Sequence, residues 1–398
     1  MSGLLVLGLA SGLLAGAGAL EYSLHRRRLR QIPVRIHVSG TRGKSSVTRL
    51  LAAGLRKAGR RTCAKTTGTL PRMILPDAEE IPVFRPQGAN IIEQTRIVSL
   101  ATALEAEAFV VECMALKPEL HWLSEDKLVR ATHGVITNCR ADHLDVMGPT
   151  EQDVARAMAG MIPIDGTLFT AEKRHLAILE AAARDRGTKL VAVTDEDRAA
   201  VSPADLARFS YTEHVDNVAL SLKVLASLGV SREVALEGMW RAKPDPGALT
   251  EHRLNFFGRR IMFINGFAAN DPESSAQVWE MAKARHPDIS HRIVVFNLRV
   301  DRVSRTTQLA RDVSFWHDAD AVVLMGTGSY QFARVALRDT NQRHRFVYAD
   351  AARIEDTFEQ ILGACGKNSL VVGLGNIGGQ GLALIRYFRN RSSMEVAL

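Results

Sequence analysis

The residues best suited to chemistry are the six at 40–45, Gly-Thr-Arg-Gly-Lys-Ser. They follow an alternating apolar run at 34–38, which predicts a short buried strand, and they precede a helical pattern of apolar residues at 47–55. In this setting glycines let backbone N–H groups approach phosphates, and the helix N-terminus adds its positive dipole end. We therefore expect an ATP or GTP site in which Lys44 reaches the terminal phosphates and the Ser45 hydroxyl faces Mg²⁺.

This loop departs from the general phosphate-loop spacing at its front. The full pattern requires a glycine at position 38, where this chain has Val38. The alternative interpretation is a glycine turn that carries a lysine by chance. The strand before the loop and the helix after it favour the nucleotide site.

Carboxylates and a histidine follow two further predicted strands. Glu112 ends the apolar run 108–111, and Asp-His-Leu-Asp at 142–145 follows a strand predicted over 131–138. Open α/β sheets bind ligands at the carboxyl ends of their strands, which makes Glu112 a natural Mg²⁺ ligand beside the phosphates. The alternative for Glu112 is a cap for the helix that begins at Lys117. Two acids and a histidine within four residues indicate metal coordination or the positioning of a reacting carboxylate.

The composition is that of a globular protein with a basic surplus. The 398 residues allow two to three domains, and the formal net charge is +8. The basic residues cluster at 26–30 and 56–61 without interleaved aromatic residues, so anionic substrates and a membrane surface explain them as well as nucleic acid does. We expect no nucleic-acid partner. The four cysteines lie far apart without a C-x-x-C pair, which indicates a reducing compartment.

The first 20 residues carry no charged side chain, and the apolar run 4–20 is long enough to span a bilayer. A cleaved signal peptide would carry positive charge before its apolar core, and a buried helix would be apolar on every face. A membrane anchor fits best, because the basic segment 26–30 follows directly and the positive-inside rule then places the rest of the chain in the cytoplasm. The stripe of Gly8, Gly12 and Gly16 fits either packing against a partner helix or ordinary glycine tolerance.

The C-terminal part follows a rigid turn at 244–247, Pro-Asp-Pro-Gly. Beyond it, strands alternate with helices and predict a second small sheet of parallel strands at 261–264, 293–296, 321–325, 346–348 and 370–372. The glycines at 373–378 match the dinucleotide fingerprint, but no further strand with an acid about 20 residues on follows them. We therefore expect them to allow close packing or to cradle a phosphate or carboxylate instead of NAD.

Taken together, these segments resemble the ATP-dependent amide ligases of the Mur ligase superfamily, which includes the peptidoglycan amino-acid ligases and folylpolyglutamate synthase. The resemblance is carried by G-T-R-G-K-S (40–45), T-G-T-L (67–70), V-E-C-M-A (111–115) and N-C-R-A-D-H-L-D-V-M-G-P-T (138–150). Four later segments are similar to the ligase subunits of bacterial poly-γ-glutamate synthases, a capsule-type family with an N-terminal membrane helix. They are R-A-K-P-D-P-G-A (241–248), I-N-G-F-A-A-N-D (264–271), N-L-R-V-D-R (297–302) and G-L-G-N-I-G (373–378).

The resemblance implies roles for particular residues. The nucleotide-binding residues are Gly40, Thr41, Arg42, Gly43, Lys44, Ser45, Ser46 and Asn217, of which Asn217 matches an asparagine that contacts adenine. The magnesium ligands are Ser45, Glu112 and His143, and the catalytic residues are Lys44, His143, Arg299 and Arg302. Either arginine could hold a glutamate carboxylate or the γ-phosphate in a bidentate contact. The alternative is an internal pair with Asp301 that fixes the loop.

Two positions depart from the family pattern. Many Mur-type ligases hold a second Mg²⁺ with a carbamylated lysine, and the matching position here is Met158, which cannot serve. Either one metal suffices or another group substitutes. The family's nucleotide-contacting arginine is also missing from the segment 246–250, and Arg253 is close enough in sequence to replace it.

These observations predict an α/β protein: a transmembrane anchor (1–22), a basic linker (23–32), a P-loop central domain of Mur ligase type with a mostly parallel sheet (33–245) and a smaller Rossmann-like ligase domain (246–398). The expected activity is ATP- and Mg²⁺-dependent polymerisation of glutamate into poly-γ-glutamate through an acyl phosphate. The alternatives are a membrane-anchored ATPase that drives export, and a folylpolyglutamate- or peptidoglycan-type ligase. The expected partners are glutamate, the growing polymer and multi-spanning membrane subunits, and self-association stays open.

Overall fold

The structure is a computed structural model that describes residues 3–68, 70–85, 88–312, 316–339, 345–349 and 353–392. The chain divides into two compact units, Met1–Asp245 and Pro246–Leu398. Thr69 of the T-G-T-L segment lies outside the described residues.

The first unit is built on eight strands. They are β1 (Val34–Ser39), β2 (Thr62–Thr66), β3 (Arg72–Ile74), β4 (Glu80–Pro82), β5 (Ala108–Glu112), β6 (His133–Ile136), β7 (Thr167–Thr170) and β8 (Lys189–Ala192). They form one sheet in the order β4-β3-β2-β5-β1-β6-β7-β8, in which β3 pairs antiparallel with both β2 and β4 and the other pairings are parallel. The mostly parallel sheet predicted for this region is confirmed.

The first unit also contains helices. They are α1 (Gly3–Gln31), α2 (Lys44–Lys57), α3 (Glu93–Ala103), α4 (Pro118–Leu123), a π-helical turn (Ser124–Val129), α5 (Leu144–Met147), α6 (Glu151–Ala159), α7 (Leu176–Asp185), α8 (Asp195–Ala199), α9 (Pro203–Ala207), α10 (Val215–Ser227) and α11 (Arg232–Trp240).

Strand β1 lies at the centre of the sheet, with β5 on one side and β6 on the other. The chain therefore leaves β1 at the point where the strand order reverses, which is where open α/β sheets bind ligands. Helix α2 follows at once and buries Val47, Leu50 and Leu55 completely. It also packs closely on α11, because a Cβ on Gly238 would lie 2.6 Å from the carbonyl oxygen of Ala53.

Helix α1 is continuous to Gln31, so the basic segment that the sequence analysis expects as a linker at 23–32 is helical through Gln31. His25 and Leu29 are buried where the last turns of α1 pack on the first unit, and His25 Nε2 donates a hydrogen bond to the carbonyl oxygen of Leu128 at 2.9 Å. This packing holds the basic segment in helical form. The apolar turns before it are exposed.

The second unit contains β9 (Thr250–Phe256), β10 (Arg259–Asn265), β11 (His291–Asn297), β12 (Ala321–Met325), β13 (Phe346–Ala349) and β14 (Asn368–Gly375). Its helices are α12 (Pro272–Arg285), a short 3₁₀ turn (Val300–Arg302), α13 (Val303–Arg311), α14 (Ser329–Asp339), α15 (Ile354–Ala364) and α16 (Gln380–Arg389). The strand order is β13-β12-β11-β14-β10-β9.

All five strands predicted for the second unit are present, and their pairing is parallel. Strand β9 was not predicted; it pairs antiparallel with β10 at one edge of the sheet. Apolar cores cover both faces, with Trp279 and Trp316 in one cluster and Phe263 and Phe388 in the other.

Candidate active site

The loop between β1 and α2 depends on glycine at both ends. Gly40 and Gly43 have φ angles of 135° and 82°, a region that L side chains rarely adopt. A Cβ on Gly40 would also lie 1.9 Å from Thr137 Oγ1, just beyond β6. The loop backbone is therefore pressed against the end of the neighbouring strand.

Asn138 holds this loop, a role that the sequence analysis missed. Its Oδ1 accepts hydrogen bonds from Thr41 Oγ1 at 2.6 Å and from the backbone N–H of Arg42 at 3.1 Å. The Asn138 carbonyl oxygen accepts a third from the backbone N–H of Thr41 at 3.0 Å. The sequence feature that could have indicated this role is the position of Asn138, a polar residue two places after the buried strand β6.

Lys44, Ser45 and Ser46 form the first turn of α2, where the backbone N–H groups of a helix lack partners within the helix. Lys44 Nζ donates to the carbonyl oxygen of Gly40 at 2.6 Å, so its ammonium lies folded over the loop. This is where a phosphate would meet both the loop amides and the lysine.

Glu112 at the end of β5 lies directly beside this turn. One of its carboxylate oxygens, Oε2, accepts hydrogen bonds from Ser45 Oγ at 2.9 Å and from the backbone N–H of Thr67 at 2.8 Å. The Glu112 residue is only 2% exposed. A hydroxyl and a carboxylate in contact are two oxygen donors of the kind that Mg²⁺ prefers, and they lie next to the expected phosphates.

Within the described residues no group of three or more His, Cys, Asp or Glu side chains could hold a metal ion. Mg²⁺ commonly takes one or two protein carboxylates and completes its shell with phosphates and water. Ser45 and Glu112 fit such a site because their hydroxyl and carboxylate oxygens lie in contact.

The predicted third ligand, His143, belongs to a segment that is tied to the loop. Asp142 Oδ2 accepts a hydrogen bond from Arg42 Nη1 at 3.0 Å, and Asp142 Oδ1 lies 4.0 Å from His143 Nε2. His143 has a left-handed backbone with φ of 48° at the start of α5. The Asp142–Arg42 contact therefore ties the segment 142–145 to the nucleotide loop.

Asn217 also contacts the loop. A Cβ on Gly43 would lie 2.5 Å from Asn217 Oδ1, so the amide packs against the glycine itself. Asn217 Nδ2 donates to Glu213 Oε1 at 2.7 Å, and the Tyr211 hydroxyl donates to Glu213 Oε2 at 3.0 Å. Burial and then the Glu213 carboxylate raise the pKa of Tyr211, which keeps this hydroxyl a donor.

A buried network of Cys113, His121, His37 and Glu125 lies behind Glu112. Cys113 Sγ is 3.6 Å from His121 Nδ1, and His37 Nδ1 is 2.7 Å from Glu125 Oε2. Burial raises the pKa of the Cys113 thiol, but the two imidazoles outweigh it and hold the pKa well below its usual range. Burial lowers the pKa of His37, whereas the Cys113 thiolate and then Glu125 raise it to about 9.

A second buried charge cluster supports the turn after β2. Glu93 Oε1 lies 2.5 Å from Lys65 Nζ, and Arg85 makes two hydrogen bonds of 2.7 Å to the same carboxylate. Lys65 is fully buried, and burial lowers its pKa despite the Glu93 carboxylate. Arg85 Nη1 also reaches the carbonyl oxygen of Thr67 at 3.4 Å, which connects this cluster to the segment that holds Glu112.

Met158 points into an apolar core. It is 1% exposed and belongs to the buried cluster that contains Ile136, Val154 and Leu168. The Met158 side chain, which the sequence analysis matches to the carbamylated lysine of the family, therefore serves packing.

The predicted arginines lie in the second unit. Arg299 follows β11 and binds Asp301 through two hydrogen bonds of 2.9 and 2.7 Å, so the internal pair considered from the sequence does form. Arg302 is half-buried in the 3₁₀ turn, and Arg253 is an exposed residue of β9.

Two protein-family models match this chain. Residues 38–230 match the Mur ligase middle domain, and residues 251–391 match the poly-gamma-glutamate synthase CapB C-terminal domain. The capsule biosynthesis protein CapB of Bacillus anthracis is 37% identical over 382 residues, which cover 96% of this chain and 82% of that protein. The chain belongs to the CapB family of poly-γ-glutamate synthases.

The CapB relationship extends to a second relative, the PGA synthase CapB of Bacillus subtilis, which is 35% identical over 92% of this chain and 93% of that protein. With its Mur ligase middle domain, this CapB-family chain is an ATP-dependent amide ligase.

Solved structures show the same fold as this CapB-family chain. Escherichia coli FolC in complex with DHPP and ADP has a TM-score of 0.66 at 17% identity, covering 93% of each chain. The bifunctional folylpolyglutamate synthase/dihydrofolate synthase of Yersinia pestis, complexed with AMPPNP and Mn, has a TM-score of 0.64 at 16% identity, covering 92% of each. The predicted fold class is confirmed.

Proposed function

We propose that this enzyme uses ATP and Mg²⁺ to join glutamate to the end of a poly-γ-glutamate chain at the cytoplasmic face of the membrane. The observation that carries the proposal is the contact between Ser45 and Glu112 beside the glycine loop. It places two oxygen donors next to backbone amides and Lys44, the combination required for a nucleotide phosphate and its metal. The CapB relatives support the polymer, and the nucleotide- and Mn-bound neighbours support the cofactors.

The proposed reaction has two steps. A carboxylate oxygen of the acceptor attacks the γ-phosphorus of ATP, which forms an acyl phosphate and releases ADP. The amine of a second glutamate then attacks the acyl carbon, loses a proton, and displaces inorganic phosphate as the amide forms. Each step develops negative charge on phosphoryl or acyl oxygens, so preorganised positive groups stabilise it.

In this proposal the chain's own residues bind and orient the reactants. The amides of the loop and Lys44 hold the phosphates, while Ser45, Glu112 and His143 hold Mg²⁺, which neutralises phosphate charge when bound. Asn217 holds the adenine, and Glu213 fixes the orientation of its amide. We assign Arg299 and Arg302 to a substrate carboxylate or the γ-phosphate, since guanidinium groups bind both in bidentate fashion.

We also propose that α1 spans the membrane. It is the one helix in the described residues that is long and apolar enough to cross a bilayer, and none of its apolar window is buried inside the protein. The basic segment after it places the catalytic units in the cytoplasm by the positive-inside rule. We further assign multi-spanning membrane subunits as partners that receive and export the polymer.

The test follows ADP and polymer together. Full-length protein in nanodiscs receives ATP, Mg²⁺ and radiolabelled glutamate, with and without an oligo-γ-glutamate acceptor. We expect ADP formation that depends on glutamate, equals the amide bonds formed, and is lost in Lys44→Ala. Lys57→Ala is the matched control, because Lys57 ends the same helix and pairs with the surface residue Glu237 at 2.6 Å. ATP hydrolysis that ignores glutamate would instead indicate an export ATPase.

A further inference from the structure

The junction between α1 and the first unit carries an exposed aromatic and basic surface. Tyr22 and Trp122 are 43% and 41% exposed, although both are large aromatic residues. The Lys127 ammonium lies 5.4 Å from the centre of the Trp122 ring, and Lys127 and Arg130 both interact electrostatically with the Tyr22 hydroxyl. We call Tyr22, Trp122, Lys127 and Arg130 the collar.

The collar has a fixed height relative to the apolar part of α1. The helix is continuous through Gln31, and His25 is bonded to Leu128, so the segment that carries Lys127 is held beside the turn that follows Tyr22. The last apolar residue before the charged part is Leu20. At about 1.5 Å per residue, Tyr22 lies ~3 Å and Arg26 ~9 Å beyond it along the helix.

The height of Tyr22 lies within the polar layer of a membrane, and the height of Arg26 lies just beyond the outer edge of that layer. The hydrocarbon core is ~30 Å thick and the whole bilayer ~40–45 Å, so each headgroup layer measures roughly 5–7 Å. Tyrosine and tryptophan are enriched in that layer because their rings are apolar and their edges polar.

The charge of the same segments favours anionic headgroups. Residues 21–30 and 126–130 contain six basic side chains and two acidic ones, Glu21 and Asp126. Asp126 pairs with Lys127 at 2.6 Å, but the surplus remains positive. Each Lys or Arg near an anionic membrane surface raises the equilibrium constant for membrane binding about fivefold.

We propose that the collar lies within the anionic headgroup layer, so that the first unit is seated on the membrane surface. The inference rests on the proposed membrane insertion of α1. Because no flexible linker separates the helix from the domain, insertion of the helix also fixes the height of the catalytic unit. The tilt of a membrane helix is set by its interfacial anchors, and the collar supplies both aromatic and basic anchors.

The test measures tryptophan fluorescence of the full chain in nanodiscs that contain phosphatidylglycerol, with acyl chains brominated near the headgroup as quenchers. Trp122 is one of four tryptophans, so we expect quenching of about a quarter of the emission. The quenching should vanish in Trp122→Phe and persist in Trp240→Phe, the control, whose indole is stacked by Arg208. Lys127→Glu should reduce the quenching in anionic discs and leave it unchanged in phosphatidylcholine discs.

Extraction with alkaline carbonate separates this inference from the anchor on which it rests. Protein that resists extraction and shows Trp122-specific quenching supports the collar. Protein that resists extraction but whose quenching is the same in Trp122→Phe refutes the collar and leaves the anchor intact. Protein that is extracted refutes both.

Discussion

Substitution of Gly43 by alanine should weaken nucleotide binding. The same substitution at Gly59 is the control that identifies the cause. Both glycines have a φ angle of 82°, so alanine meets a left-handed backbone at either position. Around Gly59 there is nothing within 4 Å of the added Cβ, whereas at Gly43 it would lie 2.5 Å from Asn217 Oδ1. Comparison of Gly43→Ala with Gly59→Ala therefore separates the effect of backbone strain from the effect of the steric contact with Asn217.

The expected magnitudes follow from these contacts. A left-handed alanine costs about 1–2 kcal/mol, which is the whole effect expected for Gly59→Ala. In Gly43→Ala the Asn217 amide must also move, and it is 7% exposed and bonded to Glu213 at 2.7 Å. A hydrogen bond to a charged group contributes about 1.5–3 kcal/mol. We expect the total loss to be about 2.5–5 kcal/mol.

The assay combines thermal unfolding with the Kd for ATP of the full chain in nanodiscs. We expect Gly59→Ala to bind ATP normally and Gly43→Ala to bind about 30-fold more weakly, which corresponds to ~2 kcal/mol. Adding Asn217→Ala to Gly43→Ala should recover part of the lost stability, because the contact is removed. Equal ATP affinity in the two glycine variants would refute the assignment of this loop to the phosphates.

Three further predictions concern buried groups. Glu93→Gln should lower the free energy of unfolding by about 3–5 kcal/mol, because it leaves the Lys65 ammonium buried without its carboxylate; Lys65→Met should lower it less in the same urea titration, since Glu93 keeps an arginine partner. Cys113→Ser should lower the pKa of His37 from about 9 in an NMR titration. The stability that His37 contributes is complete below about pH 6.5 and is lost as pH rises through about 9, so the variant should lose it at lower pH. Met158→Lys should destabilise the protein by about 3 kcal/mol, against less than ~1.5 kcal/mol for Met158→Leu, because the amine enters an apolar core.

Each of these predictions has an outcome that contradicts it. Equal losses in Glu93→Gln and Lys65→Met would mean that the cluster is not held by its carboxylate. If the pKa of His37 is unchanged in Cys113→Ser, the Cys113 thiolate does not raise that pKa. A Met158→Lys protein as stable as Met158→Leu would show that the side chain reaches solvent or a polar site.

The local features of the fold could be predicted from the sequence. One short stretch contains the apolar alternation at 34–38, the glycine loop and the apolar spacing of α2. The periodicity of its apolar residues and its turn-forming glycines therefore suffice to predict these elements. Glu112 was predicted as a site residue because a carboxylate at the end of a buried strand is recognisable in sequence. Strand β9 gave little signal, because it is an edge strand on which only Leu254 is fully buried.

The contacts that complete the site could not be predicted in this way. Asn138 is 97 residues from Thr41, and Glu125 is 88 residues from His37. Such pairs are set by the strand order, which places β1 between β5 and β6, and not by local pattern. The helical form of the basic segment 26–30 likewise depends on packing of His25 and Leu29.

The most direct test of the central claim follows an oxygen atom. An oligo-γ-glutamate acceptor labelled with ¹⁸O in its carboxylates is incubated with ATP, Mg²⁺, unlabelled glutamate and the full-length protein, and the released phosphate is analysed by mass spectrometry. An acyl phosphate requires that one ¹⁸O pass to phosphate for every amide bond formed, with Lys44→Ala giving neither product. Amide formation with unlabelled phosphate would contradict the proposed chemistry at this site.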